Sequence, residues 1–427
     1  MKLLILNAHS PQNAGDLAIL RESIACMRRA FPGADLTITM NDELSELLPT
    51  EAVFVGSFTR WMMRVDARGE WRWRKPLVPL YALLLILASL VYRLAGLQLL
   101  PRLPERRELL RAYYAADVVA VIGGGHLYAR HAANIAFVWL WLGIALAVLM
   151  GKPLIFLPQS FGPLPGALQQ AMLRWLLSRS ALVVAREYRS LRLLAEIGMR
   201  RRVLVLPDLA FAADLTDAES PLVPEVAALA AQNQPLIGMT LMDWQGQNPQ
   251  FGNQHGYEQA MLALMHHVHA RYGARVVLFA QCTGPTAAHD DRIIARRLLA
   301  QARAQGLDSV DFVDAALSPE QLKAAYARLD LLVATRMHSA IFALSRNVPA
   351  LAIGYLYKSV GIMEMLGLER HALDIATIDS AALCTGFDAI WSERDEIRRR
   401  LSARIPAFQD TLAHLPLLIR RSVEEQA

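Results

Sequence analysis

The chain has 427 residues, 54% of them hydrophobic and 19% charged. That length predicts two domains, and that composition excludes a disordered or solvating chain. A net charge of +5 suits small anions or an anionic membrane surface, and no basic motif interleaved with aromatics marks a nucleic-acid binder. Three cysteines, Cys26, Cys282 and Cys384, without a CxxC, argue against a disulfide framework or a zinc site, so no metal is expected.

The N-terminal apolar run, Lys2 to Leu6, is too short for a signal-peptide core and reads as a first buried strand, so a cytoplasmic protein is expected. Strands are predicted at 2–6, 35–39, 52–56, 117–122, 153–157, 181–185 and 203–206. Several are continuous runs of Val, Ile and Leu, as parallel strands covered on both faces should be. Amphipathic stretches between them make crossover units. Around 212–234 Pro221, Pro224 and Pro235 mark a linker. A second series follows at 236–241, 275–280, 310–313, 330–334 and 350–354. The expected fold class is α/β, two Rossmann-like domains facing a cleft. Residues 1–212 would form the acceptor-side domain with an apolar insertion at 60–110. Residues 225–385 would form the donor-side domain, and 386–427 a helical tail.

Two stretches lack charge, 77–92 and 132–151. The second starts after a glycine turn and leads into the strand at 153, which predicts a buried crossover helix. The first follows Trp61, Arg64, Arg68 and Trp71 to Lys75, the composition of an interfacial anchor. With Pro76 and Pro79 it falls short of a span, so a monotopic membrane contact through 60–100 is expected.

Polar residues recur at the ends of predicted strands, where ligands of open α/β sheets bind. Asn13-Ala-Gly15-Asp16 follows the first strand, and Asp16 is either a helix N-cap or a carboxylate able to take a proton from a hydroxyl. Gly123-Gly124-Gly125-His126 follows another, without the spacing of a dinucleotide site. Gln159, Arg186 with Glu187, and Asp208 sit at further strand ends. The sharpest signal is Arg336, His338 and Ser339 after strand 330–334, followed by Lys358 after strand 350–354. Arg supplies a planar fork for carboxylate or phosphate, Lys a point charge, and His a proton near neutral pH.

This ordered set resembles the polysaccharide pyruvyl transferases. The resemblance rests on Asn13 to Asp16, Gly123 to Gly125, Gln159 to Pro163, Arg186-Glu187, and Arg336-Met-His338 with Lys358 and Gly361. It implies a GT-B-like fold, phosphoenolpyruvate as co-substrate with no cofactor, and a sugar or lipid-linked saccharide acceptor at the inner face of the plasma membrane. In that reading Arg336, Lys358 and Ser339 bind the donor, and His338 protonates its methylene. Asp16 serves as base, and Asn13, Gly15, Gly124, Gly125, His126, Gln159 and Arg186 line the acceptor side. Truncating Arg336 should then weaken donor binding and leave the fold intact. The rival readings are a nucleotide-sugar glycosyltransferase, with Glu364 as a ribose contact, and a non-catalytic polysaccharide-assembly factor.

Overall fold

The computed structural model describes the chain except residues 43–47, 59–62, 66–70, 74–77, 213–222, 249, 355 and 427; for 63–65, 71–73, 78 and 356–358 it describes the backbone alone. The chain divides into two compact units. One comprises 1–11, 19–209 and 411–427, the other 12–18 and 210–410.

Unit 1 is built on an eight-stranded sheet. Its strands are β1 (Lys2–Ala8), β2 (Asp35–Met40), β3 (Val53–Gly56), β6 (Val118–Val121), β7 (Gly124–Leu127), β8 (Leu154–Phe161), β9 (Leu182–Ala185) and β10 (Leu204–Val205); a separate antiparallel ribbon pairs β4 (Met63–Val65) with β5 (Trp71–Trp73). The order is β10-β9-β8-β6-β1-β2-β3, all parallel, with β7 laid on the end of β8. β6 and β9 are buried along their whole length, which is why they contain no polar residue. The order reverses between β1 and β6, so the loops after these two strands flank a topological switch point.

Unit 2 repeats the plan with β11 (Leu236–Thr240), β12 (Arg275–Phe279), β13 (Val310–Val313), β14 (Leu331–Ala334), β15 (Ala350–Gly354) and β16 (Ala372–Asp374), in the order β13-β12-β11-β14-β15-β16, again all parallel. Its switch point lies between β11 and β14. The predicted strands therefore form within a residue or two, apart from β8, which runs on to Phe161. The ribbon, β7 and β16 were not foreseen, being short or glycine-containing. Of the predicted linker 212–234, residues 213–222 lie outside the description, and the helix Pro224–Ala230 forms within the remainder.

The domain limits differ from the expected ones at both ends. Gln12–Ala18, the start of helix α1 (Ala14–Ala30), clusters with unit 2. The expected tail is a 34-residue helix, Ser380–Ala413, whose body belongs to unit 2, followed by the helix Leu415–Glu424, which belongs to unit 1. There the Arg420 guanidinium donates to the carbonyl of Ala30 at the end of α1.

The insertion contributes helices α2 (Val78–Ala95) and α3 (Pro104–Ala115), and the second uncharged stretch forms α4 (Ile135–Leu149). α4 is capped by the Asn134 side chain, which accepts from the Phe137 N–H, and its body is buried in the core of unit 1. The Tyr113 hydroxyl of α3 donates to the α4 carbonyl of Gly143 at 2.7 Å. α2 packs on α4 by one face only: Ala82, Leu85, Ala88 and Ser89 are buried, while Leu80, Leu83, Leu84 and Leu87 are exposed. Among the described residues no helix is long and apolar enough to cross a membrane.

Neighbouring leucines of α2 thus have opposite environments: Leu85 is 2% exposed and Leu84 52%. Leu85→Ala is expected to cost about 2–5 kcal/mol of stability through the cavity it leaves. Leu84→Ala should fall within about 0.5 kcal/mol of wild type. Urea denaturation of both variants tests the packed face, and equal costs would show α2 oriented otherwise.

Candidate active site

At the switch point of unit 2, β14 runs into Thr335-Arg336 and a helix, Met337–Ser345, that carries His338 and Ser339. The Thr335 N–H donates to Thr240 Oγ1 at the end of β11, which ties this turn to the neighbouring strand. Arg336 is the N-cap residue. Its guanidinium meets Asp291 through Nη2 at 2.6 Å and Nε at 3.2 Å. Asp291 is buried and also accepts the N–H groups of Cys282 at 2.9 Å and Gln281 at 3.2 Å. Burial disfavours the charge on Arg336, but the neighbouring groups, Asp291 foremost with Cys282 and Asp16, together outweigh it and hold the guanidinium above its ordinary pKa. A fixed cation results, with two of its nitrogens committed to the carboxylate.

Gln281 extends the network. Its side-chain carbonyl accepts from Ser339 Oγ at 2.9 Å and from the Tyr326 hydroxyl at 3.3 Å. Its backbone carbonyl accepts the N–H of Ala14 at 3.0 Å, and Asn13 bridges to Cys282. The Asn13–Asp16 segment is therefore stitched to the end of β12. Asn13 Oδ1 accepts the Gly15 N–H at 3.0 Å, so Asn13 holds the start of α1 and Asp16 sits in its first turn. A Cβ on Gly15 would lie 2.1 Å from His338 Nδ1, inside any real contact, so only glycine lets the helix start pass this imidazole. Asn13, Gly15, Arg336, His338 and Ser339, distant in sequence, are thus neighbours, with Asp16 beside them in the first turn of α1.

Two sequence expectations change here, and one falls outside the description. Ser339 is fully buried with its hydroxyl on Gln281, so it braces the turn. Lys358 lies in the helix Leu356–Met365, but its side chain is outside the described residues. Truncating Arg336 cannot be structurally neutral, because it would strand the buried Asp291 carboxylate. Asp291 itself was missed: its neighbour Asp290 caps the helix, accepting the Arg292 N–H at 3.0 Å, while Asp291 turns inward. Cys282 is no nucleophile, since burial pushes its thiol up to about 11.

Unit 1 assembles its own row of polar groups along the carboxyl ends of β2, β1, β7 and β8. Asn7 adopts φ 69°, a left-handed conformation that Asn tolerates, and its N–H donates to Thr39 Oγ1 at 2.9 Å. The Asn41 amide lies 3.4 Å from His9 Nδ1, and the His9 and His126 rings are 5.3 Å apart between centroids. Gly124, at φ 131°, is in register with Gln159, so the predicted glycine turn is a short strand. Gly125 beside it is half-buried. Asn7 and Gln159 are both buried, and among the described residues Asn7 Nδ2 and Gln159 Oε1 have no hydrogen-bond partner. Asn7, His9 and Asn41 gave no sequence signal beyond their place at strand ends. Arg186 does not join this row. It is 1% exposed and committed to Asp208 Oδ2 and Ser160 Oγ, each at 2.6 Å, with Glu187 beside it. Its role is to hold the ends of β8 and β9 together. Among the described residues no cluster of His, Cys, Asp or Glu is arranged to hold a metal ion.

Residues 13–357 match the family model described as polysaccharide pyruvyl transferase. The chain is 25% identical over 425 residues, 95% of each chain, to the amylovoran biosynthesis protein AmsJ of Erwinia amylovora. Among solved structures it is similar to a putative UDP-N-acetylglucosamine 2-epimerase from Listeria monocytogenes, with a TM-score of 0.61 at 12% identity over 100% of this chain and 97% of that one. It is also similar to the UDP-GlcNAc 2-epimerase of Neisseria meningitidis, with a TM-score of 0.57 at 11% identity and full coverage of both. At such identities these likenesses show the fold alone, two Rossmann-like domains of the GT-B type with a helical C-terminal segment. The order of its motifs and the match across most of its length establish that the chain belongs to the polysaccharide pyruvyl transferase family.

Proposed function

We propose that the protein transfers the pyruvyl group of phosphoenolpyruvate to a sugar of a surface polysaccharide or its lipid-linked precursor and closes a cyclic ketal. The observation that carries this reading is the anchored cation Arg336 beside His338 at the switch point of unit 2. A donor with a carboxylate and a phosphate suits a fixed guanidinium whose remaining nitrogen is aimed by Asp291. Lys358 would supply a second positive charge to it.

In the proposed reaction His338 gives a proton to the donor methylene, which makes the neighbouring carbon electrophilic. A sugar hydroxyl adds to that carbon as Asp16 takes its proton. Phosphate then leaves, and a second hydroxyl of the same sugar adds to the same carbon and closes the ketal as its proton passes to the departing phosphate. Asn7, His9, Asn41, His126 and Gln159, with Gly124 and Gly125 permitting close approach, offer hydrogen-bond donors and acceptors that suit hydroxyl groups. We assign them to the acceptor, which as a lipid-linked saccharide would place the enzyme peripherally at the inner face of the plasma membrane.

Release of phosphate from phosphoenolpyruvate in the presence of a sugar acceptor tests the reading directly, and absence of release across free and lipid-linked sugars would overturn it. His338→Ala is expected to lower turnover by roughly 10²–10⁴ with donor affinity little changed; near-normal turnover would remove His338 from the chemistry.

Gly15→Ala probes the same group from the opposite side. A displaced imidazole should cost roughly a hundredfold in turnover while the donor still binds in calorimetry. Unchanged turnover in a variant with wild-type melting would show that the Gly15 contact does not set the His338 position.

Arg336→Ala should destabilise unit 2 by about 3–5 kcal/mol by leaving a carboxylate buried alone. Arg336→Lys keeps a cation near Asp291 and loses the fork, and should weaken donor binding about ten- to a hundredfold. Donor binding to Arg336→Lys as tight as to wild type would place the donor elsewhere.

A further inference from the structure

We propose that the exposed leucine face of α2, continued by the segment 96–103, is a monotopic docking surface for an anionic lipid bilayer. This goes beyond the reaction and assigns a surface to the membrane placement, so it stands or falls independently of the donor and acceptor chemistry.

Leu80, Leu83, Leu84, Leu87, Leu90 and Leu94 are all exposed, Leu94 to 86%. Their spacing puts them on one stripe of the helix, opposite the buried Leu85 and Ser89. An 18-residue helix is about 27 Å long, so the stripe runs much further than the scattered apolar residues of an ordinary surface. It does not stop at the helix end. Gly96, at φ 69°, turns the chain, and Leu97, Leu99, Leu100 and Leu103 are again exposed.

Cations flank the stripe. The Arg106 guanidinium stacks 4.4 Å from the ring centre of Tyr81 near the start of α2. Near its end Lys152 donates to the Tyr92 hydroxyl at 3.1 Å, and Arg93 and Arg102 are exposed. From 78 to 111 the chain carries five arginines and two acidic residues. An apolar stripe bordered by cations matches the acyl boundary and the anionic headgroups of a leaflet. A second copy fits it less well, because a two-fold contact would set each cationic border against its own kind. Spanning is excluded by the packed face: inserting α2 across the bilayer would pull Leu85 out of the core of unit 1.

The test is flotation of the full chain with vesicles of phosphatidylcholine containing roughly one-third phosphatidylglycerol. Wild type should float, and the triple variant Leu80→Ser, Leu84→Ser, Leu87→Ser should partition at least roughly tenfold less. Arg102→Gln should lose about fivefold on anionic vesicles and little on pure phosphatidylcholine. On wild type, amide exchange of 80–103 should slow when vesicles are added, a readout that does not depend on any variant folding. Wild type that stays unbound at low salt, or amides of 80–103 indifferent to vesicles, would overturn the proposal. So would light scattering that shows a dimer broken to monomers by the leucine variant with no vesicle binding by wild type.

Discussion

In unit 2 a single buried carboxylate, Asp291, organises the groups that the proposed chemistry uses. Asp291 receives two nitrogens of Arg336 and two backbone N–H groups at the end of β12. A carboxylate so far from water is tolerable only when its charge is answered and its lone pairs are filled. Meeting that requirement fixes the guanidinium, which fixes the turn after β14. The same turn sets the first residues of the helix that carries His338. The end of β12 in turn holds Ala14 through the Gln281 carbonyl, and this brings Gly15 against the imidazole. A ligand would therefore find a cation and an imidazole whose geometry is settled before it arrives.

Unit 1 uses the same device for a different end. After β9, as after β14, a buried strand ends in an arginine at the mouth of a helix, and Arg186 meets Asp208 at 2.6 Å as Arg336 meets Asp291. The two differ in what the guanidinium has left over. Arg336 is 13% exposed, whereas Arg186 is 1% exposed and is further engaged by Ser160 and Glu187. One pair holds a charge ready at an edge, and the other spends it inside the fold. In the proposed reading the amides and imidazoles along this edge of unit 1 would then meet the acceptor without the Arg186 charge beside them, an arrangement suited to hydroxyls.

The insertion of unit 1 answers a conflict between two hydrophobic segments. α4 has no charge because the core surrounds it. α2 has nearly the same composition, but only the side carrying Ala82, Leu85, Ala88 and Ser89 finds a partner, and its leucine stripe is left outward. A folded domain rarely presents such a stripe without an occupant for it.

The sequence by itself determined the two parallel sheets and the strand ends that carry polar residues, because continuous Val, Ile and Leu runs have few ways to be buried, and it marked Arg336 and His338 as candidates at one of those ends. It also marked 132–151 as a core helix through its place between a glycine turn and a strand. It could not distinguish Asp291 from the capping Asp290, nor the buried Arg186 from the presented Arg336, because neighbouring residues of one type look alike until packing decides which side chain turns inward. It did not reveal that Gly15 must lack a Cβ, since the imidazole it meets lies more than three hundred residues away. Nor did it assign Gln12–Ala18 to the second unit or return the last helix to the first. Those outcomes depend on contacts between segments remote in sequence. Local pattern specifies which residues want burial, and only the closed tertiary structure decides which partner buries them.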